Sequence, residues 1–246
     1  MRDMPADTYN DQRVKSFPDA LARGDLQAVR ACPKADLHTH GFAKADRDYI
    51  REKTGRDIVP VETPLKSMDA THEWAKALSS LREWMSPWLE LGFHKVLDLS
   101  GDEFAQPIEV FQPLYRAAKK KGMRLKAHVG EWGTADDVRR AVEVLELDEV
   151  QHGIAASEST AVMRFLANQR IRLNICPTSN LMLGRVARLQ DHPIRTLFDA
   201  GVKVTVNTDD AIVFGAGVSE EFLRLYRAGV FTASELDLIR QWGLED

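Results

Sequence analysis

Short apolar, β-branched runs alternate along this chain with amphipathic helical patterns, and that alternation constrains the fold more than any other feature. The runs are Ala35–His40, Lys95–Ser100, Arg124–Val129, Glu149–Gly153, Ile171–Cys176 and Val202–Asn207. Between them, Leu114-Tyr115 with Ala118, Val138 with Ala141, Val142 and Leu145, and Val162 with Phe165 and Leu166 repeat at the 3.6-residue helical period, with charged residues opposite. Strands that alternate with helices form a parallel sheet with right-handed crossovers. In a closed parallel barrel the reactive groups sit where the strands end. His38-Thr39-His40, His128-Val129-Gly130-Glu131, His152 and Asn207-Thr208-Asp209-Asp210 all close or follow one of these runs. The expected architecture is therefore a TIM-type (β/α) barrel, and 246 residues with 44% apolar content suffice for its core.

Six strands fall short of the usual eight. Between His40 and Lys95 the pattern predicts helices at Asp46–Lys53, Met68–Leu78 and Leu81–Leu91, while the extended-looking Asp57–Glu62 carries Pro60 at its centre, which argues against a central strand. Strands two and three of a barrel are thus lacking or not shown. The first thirty residues read as one or two helices, with Phe17, Leu21, Leu26 and Val29 at helical spacing before Pro33. We expect one barrel domain over residues 1–246, with residues 1–32 as a helical lead-in.

His38 and His40, two apart on an extended run, share a face and can both offer an imidazole nitrogen to one ion. A third imidazole and a carboxylate would complete a catalytic metal site of the kind that activates water. Taken singly, each group has a structural explanation: a turn for His-Thr-His, a core position for His128, a cap for a helix starting near Ile212 for Asp209 and Asp210. Their joint occurrence at strand ends points to a metal-dependent hydrolase. His72, His94 and His192 lie in helical or loop contexts and read as structural or surface residues, with His192-Pro193 opening a helix. Trp84, Met85, Trp88 and Leu89 read as a core-facing helical stripe.

Composition narrows the partners. A formal charge of −4 leaves no electrostatic footprint for nucleic acid or an anionic membrane, so a small-molecule substrate fits best. Two cysteines, Cys32 and Cys176, without a Cys-x-x-Cys pairing favour a reducing compartment. The polar stretch Met1–Arg13 does not look like a secretion signal, and the expected location is cytoplasmic. No sequence feature specifies an oligomeric state.

The set Pro33-Lys-Ala-Asp-Leu-His-Thr-His40, Asp98-Leu-Ser-Gly-Asp-Glu103, Ala127-His-Val-Gly-Glu131, Gln151-His-Gly153, Cys176-Pro-Thr-Ser-Asn180 and Asn207-Thr-Asp-Asp210 resembles the adenosine deaminase family of the amidohydrolase superfamily, from about Pro33 to the C-terminus. The resemblance implies one Zn2+, or another divalent metal, held by His38, His40, His128 and Asp209. It implies Glu131 as the acid that protonates the purine ring and His152 as the histidine that orients or deprotonates the attacking water, with Asp209 also counted in the catalytic set. It assigns Asp210 and the backbone of Gly101 to purine binding. The implied substrate is adenosine or a related aminopurine or aminated heterocycle, with release of ammonia.

Two departures from the family stand out. Family members commonly follow His-x-His with Leu-Asp-Gly, whose acid holds the ribose, whereas Gly41 and Phe42 follow here. Ala75–Leu78 also runs almost directly into Ser79–Met85, where the family has two further strand–helix units. A segment left out of the numbered chain near 77–81, a deletion, or a partner chain filling the gap would each account for this. Two other readings compete: a phosphoesterase of the polymerase-and-histidinol-phosphatase type, whose opening motif Asp36-Leu-His-Thr-His40 resembles, and a catalytically inactive metal-binding homologue. The first lacks its closing Asp-x-His here; the second gives no reason for Glu131, His152 and Asp210. Deaminases with a Pro-Cys-x-x-Cys signature are excluded, because Cys176-Pro-Thr-Ser is not that motif.

Overall fold

The computed structural model of the chain describes residues 17–39, 51–52, 61, 63–65, 70 and 96–245. His40, Phe42, His72, His94, the Trp84–Leu89 stripe and the junction at 77–81 lie outside these described residues, as do the helices expected between His40 and Lys95 for most of their length. Residues 17–23 are helical, followed by helix α1 (Leu26–Ala31). Then come β1 (Val96–Leu99), α2 (Gln112–Lys120), β2 (Arg124–Val129), α3 (Ala135–Leu145), β3 (Glu149–His152) and α4 (Thr160–Gln169). The chain continues through β4 (Arg172–Ile175), α5 (Pro177–Met182), α6 (Ile194–Asp199), β5 (Lys203–Val206), α7 (Ala211–Phe214), α8 (Val218–Arg227) and α9 (Ala233–Leu244). Among the described residues, no helix is long and apolar enough to cross a membrane, and both cysteines are buried and free.

Among the described residues the strands form a five-stranded sheet in sequence order, parallel throughout, with each consecutive pair joined across a helical connection. Local chemistry sets the helix starts. The Thr134 hydroxyl and the Asp137 carboxylate cap each other's backbone at the head of α3, and Thr232 with Glu235 repeats the device at α9. Alternation along the strands does the rest. Leu125, Ala127, Val129, Val150, Leu173, Ile175, Val204 and Val206 point to the face that the helices cover, and all are buried in one apolar cluster with Val138, Ala141, Leu166, Leu197 and Ile239. Phe17 meets Phe222 edge to face at 5.4 Å, which seats the N-terminal helix on α8.

The opposite face is polar and also buried. Lys126 pairs in register with Glu149, Glu149 with Arg172, and Gln151 with Asn174, so these side chains form two rows across the sheet. Glu149 accepts from Lys126 Nζ at 2.8 Å, from Arg172, and from Asn174 Nδ2 at 2.6 Å. Asn174 then reaches Gln151 Oε1 at 2.9 Å and accepts from the Thr205 hydroxyl at 2.8 Å. Lys126 on β2 also donates to the carbonyl of Leu37 at 3.2 Å, although Leu37 lies beside β5. Elements from opposite ends of the sheet therefore meet across the polar face, as they do when a parallel sheet curls into a barrel. TIM-barrel interiors are usually filled by aliphatic side chains; here ion pairs and amides fill that layer.

Candidate metal centre and active site

The expected first strand docks at the end of β5 through side chains more than through a regular ladder. Asp36 accepts from the Thr208 hydroxyl at 2.6 Å and the Thr208 N–H at 3.2 Å, and Asn207 Oδ1 accepts from the Leu37 N–H at 2.7 Å. The Asp209 N–H donates to the His38 carbonyl at 2.9 Å, and Thr39 pairs with Asp209 as a single parallel bridge. Backbone register thus holds His38 and Asp209, which are far apart in sequence, side by side.

His38, His128, His152 and Asp209 converge so that one nitrogen or oxygen from each lies within 4.8 Å of the others. His38 Nδ1 lies 2.9 Å from the carbonyl of Asn174, and His128 Nδ1 lies 3.0 Å from the carbonyl of Leu99. A carbonyl can only accept, so both Nδ1 atoms carry a proton, and in the neutral form of each ring Nε2 presents a lone pair. Those two Nε2 atoms stand 2.9 Å apart, with Asp209 Oδ1 at 3.6 Å from His38 Nε2. Two lone pairs and a carboxylate facing one another repel unless a proton or a metal cation lies among them. The donor set therefore fits a divalent metal. Asp98 adds support behind His128, 3.3 Å from Nδ1; burial works to raise its pKa, but His128 and the Gln151 amide hold the carboxyl below its ordinary value.

Two of these residues carry left-handed backbone, His152 at φ 63° and Asp209 at φ 60°. By register, His152 stands beside Val129, whose side chain points to the helix-covered face. The left-handed turn reverses it, and its ring centroid comes to 4.3 Å from that of His38. Such a conformation costs a non-glycine residue about 1–3 kcal/mol. Gly130 has positive φ as well, and there a Cβ would come within 2.2 Å of Val138, so only glycine lets the His128–Glu131 turn close against α3.

Glu131 is gripped from several sides. The Glu103 carboxylate accepts the N–H groups of Gly130, Glu131, Trp132 and Gly133 at 2.8, 2.8, 3.0 and 3.1 Å, which fixes the loop backbone. Arg185 Nε donates to the Glu131 carbonyl at 2.8 Å, and its guanidinium lies 4.5 Å over the Trp132 ring. The Trp132 indole donates to Glu131 Oε2 at 3.1 Å, and His152 Nε2 lies 3.6 Å from the same oxygen. Burial, with the negative charges of Asp209 and Glu103 nearby, pushes the Glu131 carboxyl well above the ordinary carboxylate range. A carboxyl that keeps its proton near neutral pH can act as a general acid.

His38, His128, Asp209, Glu131 and His152 are thus brought together, while His40 lies outside the described residues. Gly101, at φ 134°, lines a cavity of about 270 Å³ that also touches Glu103 and His128. Asp210 is buried at the head of α7, where its side chain makes no cap hydrogen bond, so capping does not explain it. His192 is structural as expected: it is buried, its Nδ1 accepts from the Ile194 N–H at 3.0 Å, and burial lowers its pKa to about 3. Sequence reasoning gave no role to Asp36, Asp98, Glu103, Ser179 or Asn180. All five sit inside the motifs quoted above, but only their spatial partners show what they do.

The sequence model of the family described as "Adenosine deaminase" matches residues 94–246. A putative adenosine/adenine deaminase of Treponema pallidum is 43% identical over 154 residues, which is 63% of this chain and 52% of that protein. The chain spans about half the length of the curated relatives it matches. Among solved structures, an adenine deaminase from Arthrobacter aurescens aligns with a TM-score of 0.60 at 25% identity, over 96% of this chain and 72% of that one. A Burkholderia ambifaria amidohydrolase solved with bound Zn aligns with a TM-score of 0.59 at 20% identity, over 93% of this chain and 68% of that one. That second likeness concerns the fold alone.

Proposed function

The chain belongs to the adenosine deaminase family, and from that premise we propose that it is a zinc-dependent hydrolytic deaminase that releases ammonia from adenine, adenosine or a related aminopurine. The observation that carries the proposal is the pair of facing imidazole lone pairs beside Asp209, set under a carboxyl that retains its proton. We take residues 1–246 as one barrel domain.

His38, His128 and Asp209, joined by His40, would hold the ion. Bound zinc supplies Lewis acidity that brings the ionisation of a water molecule towards pH ~7. Glu131 donates its proton to the ring nitrogen next to the carbon that bears the amine, which makes that carbon electrophilic. His152, whose Nδ1 accepts from the Asn180 amide, orients the attacking water through its Nε2–H, and Asp209 takes that water's proton and returns it to the departing amine. The new carbon–oxygen bond replaces the carbon–nitrogen bond, ammonia leaves, and Glu131 recovers its proton from the hydroxyl as the ring carbonyl forms. Asp210 and the Gly101 backbone hold the ring in register. Phe42, standing where the family's ribose-binding acid is expected, favours a substrate whose sugar, if it has one, is not held by a carboxylate.

Ammonia release from a panel holding adenine, adenosine and other aminopurines, with and without chelator, tests the reading. Chelator-sensitive release from at least one of them, reduced by two orders of magnitude or more in E131Q, is the expected result. Hydrolysis of phosphate monoesters without ammonia release, or inertness towards the whole panel with one equivalent of zinc bound, would overturn it.

A further inference from the structure

The Cys176–Asn180 motif carries chemistry beyond chain reversal. Three consecutive residues of it reach into three different parts of the molecule. Thr178 ties α5 to α8, its N–H donating to Glu221 Oε2 at 3.1 Å and its hydroxyl accepting from Arg224 at 2.9 Å. The Ser179 hydroxyl donates to Asp209 Oδ2 at 2.6 Å. Asn180 is fully buried, and its Nδ2 lies 3.2 Å from Glu131 Oε1 and 3.3 Å from His152 Nδ1.

We propose that Asn180 is a positioning residue that holds Glu131 and His152 in one fixed relation through the two hydrogens of a single amide nitrogen. The inference rests on the deaminase reading, which gives Glu131 its proton-transfer role and His152 its hold on the attacking water. Those two side chains come from different strands, Glu131 after β2 and His152 at the end of β3. Backbone hydrogen bonds from Gly153 to Val129 and from Ala155 to Gly130 join the two segments but leave the side-chain torsions of Glu131 and His152 to be set by other contacts. An amide can donate to a carboxyl oxygen and to a ring nitrogen at once, without changing its own charge, whereas a hydroxyl offers one hydrogen and an ammonium brings a charge.

The mounting of Asn180 suits the task. Its N–H donates to the Cys176 carbonyl at 3.0 Å, and its own carbonyl accepts from the N–H groups of Arg185 at 2.8 Å and Val186 at 3.2 Å. The backbone on both sides is therefore pinned, and the side chain inherits that rigidity. Its Oδ1 is buried with no hydrogen-bond partner among the described residues. An apolar side chain of similar size would avoid that desolvation cost, so packing alone does not account for an asparagine here.

The test uses N180A and the isosteric N180L, measured beside the unaltered zinc-loaded enzyme. The expected result is a fall in kcat of about 30- to 300-fold, the range for misplaced proton-transfer groups, with KM within about threefold and with zinc content and helical circular dichroism unchanged. N180Q, which keeps the two donors on a longer arm, should recover part of the lost kcat. Crystal structures of the variants give a readout independent of turnover: Glu131 and His152 should leave their present rotamers while α5 stays in place. If the unaltered enzyme releases no ammonia, the functional reading falls, and the crystal comparison still judges Asn180. Rotamers of Glu131 and His152 unchanged in both variants, kcat within threefold of the parent, or a loss of rate explained by lost zinc or lost helix would overturn the proposal.

Discussion

Replacing Glu149 with glutamine should expose how much the polar layer of the barrel contributes to stability. Glu149 is 2% exposed and lies between Lys126 and Arg172, themselves 7% and 6% exposed. E149Q keeps the shape and an acceptor for Asn174 but leaves two buried cations facing a neutral amide. Breaking a buried pair from one side costs about 3–5 kcal/mol. A second route gives a similar figure. Burial works to raise the Glu149 carboxyl, but Lys126, Asn174 and Arg172 together bring it down from 4.5 to about 2. A carboxyl held that far down contributes ~3.4 kcal/mol at neutral pH.

Because the folded-state pKa is depressed, the contribution is complete above pH 4.5 and drains away as the pH falls through about 2. The gap between parent and E149Q should therefore be about 3 kcal/mol at pH 7 and shrink to ~1.4 kcal/mol at pH 3. Equilibrium urea unfolding of both proteins in metal-free buffer, with the denaturant dependence unchanged between them, measures it. A gap below ~1 kcal/mol at pH 7, or one that stays constant from pH 7 to pH 3, would refute the view that Glu149 neutralises the buried cations.

Three further outcomes follow from the geometry. H38A and D209N should each abolish retention of one equivalent of zinc through gel filtration, read by elemental analysis, whereas K119A on the exposed face of α2 should retain it. E103Q turns an amide nitrogen towards backbone N–H donors and should lower stability by about 2–3 kcal/mol, with kcat falling more than KM changes; a fully active, equally stable E103Q would mean that the 130–133 loop is held by other contacts. His192, lowered to about 3 by burial, must stay neutral in the folded state. The unfolded chain then binds its proton first, so stability should fall as the pH drops from about 6.5 towards 3, by up to ~1.4 kcal/mol per unit, and H192F should remove that component of the acid slope.

The convergence of residues at the rim was legible in the sequence because each closes or follows an apolar run, and the β2 boundaries were read as they stand in the fold. The polar layer beneath it was not. Lys126 and His128, Glu149 and Gln151, Arg172 and Asn174 alternate with apolar neighbours, and that pattern reads equally as a solvent-facing side of a strand. Only curvature of the sheet, which brings Leu37 to Lys126, turns the face inward. His152 misleads in the same way, since its parity assigns it to the helix-covered side until the left-handed backbone turns it round. Glu103 and Asn180 were visible as motif letters, but their partners lie dozens of residues away, beyond the reach of any periodicity.

The amide and ion-pair rows under the rim also bear on attempts to retarget this scaffold. Each strand's inward residue depends on its neighbour's, from Arg172 grasping the carbonyls of Trp242 and Glu245 up to Asn174, whose own carbonyl faces the His38 ring. A substitution in this layer should disturb the Asn174 carbonyl that orients the His38 ring, and matched replacements on adjoining strands should restore it. Libraries seeking new specificities should accordingly diversify the loops over the mouth and leave the courses of masonry below untouched.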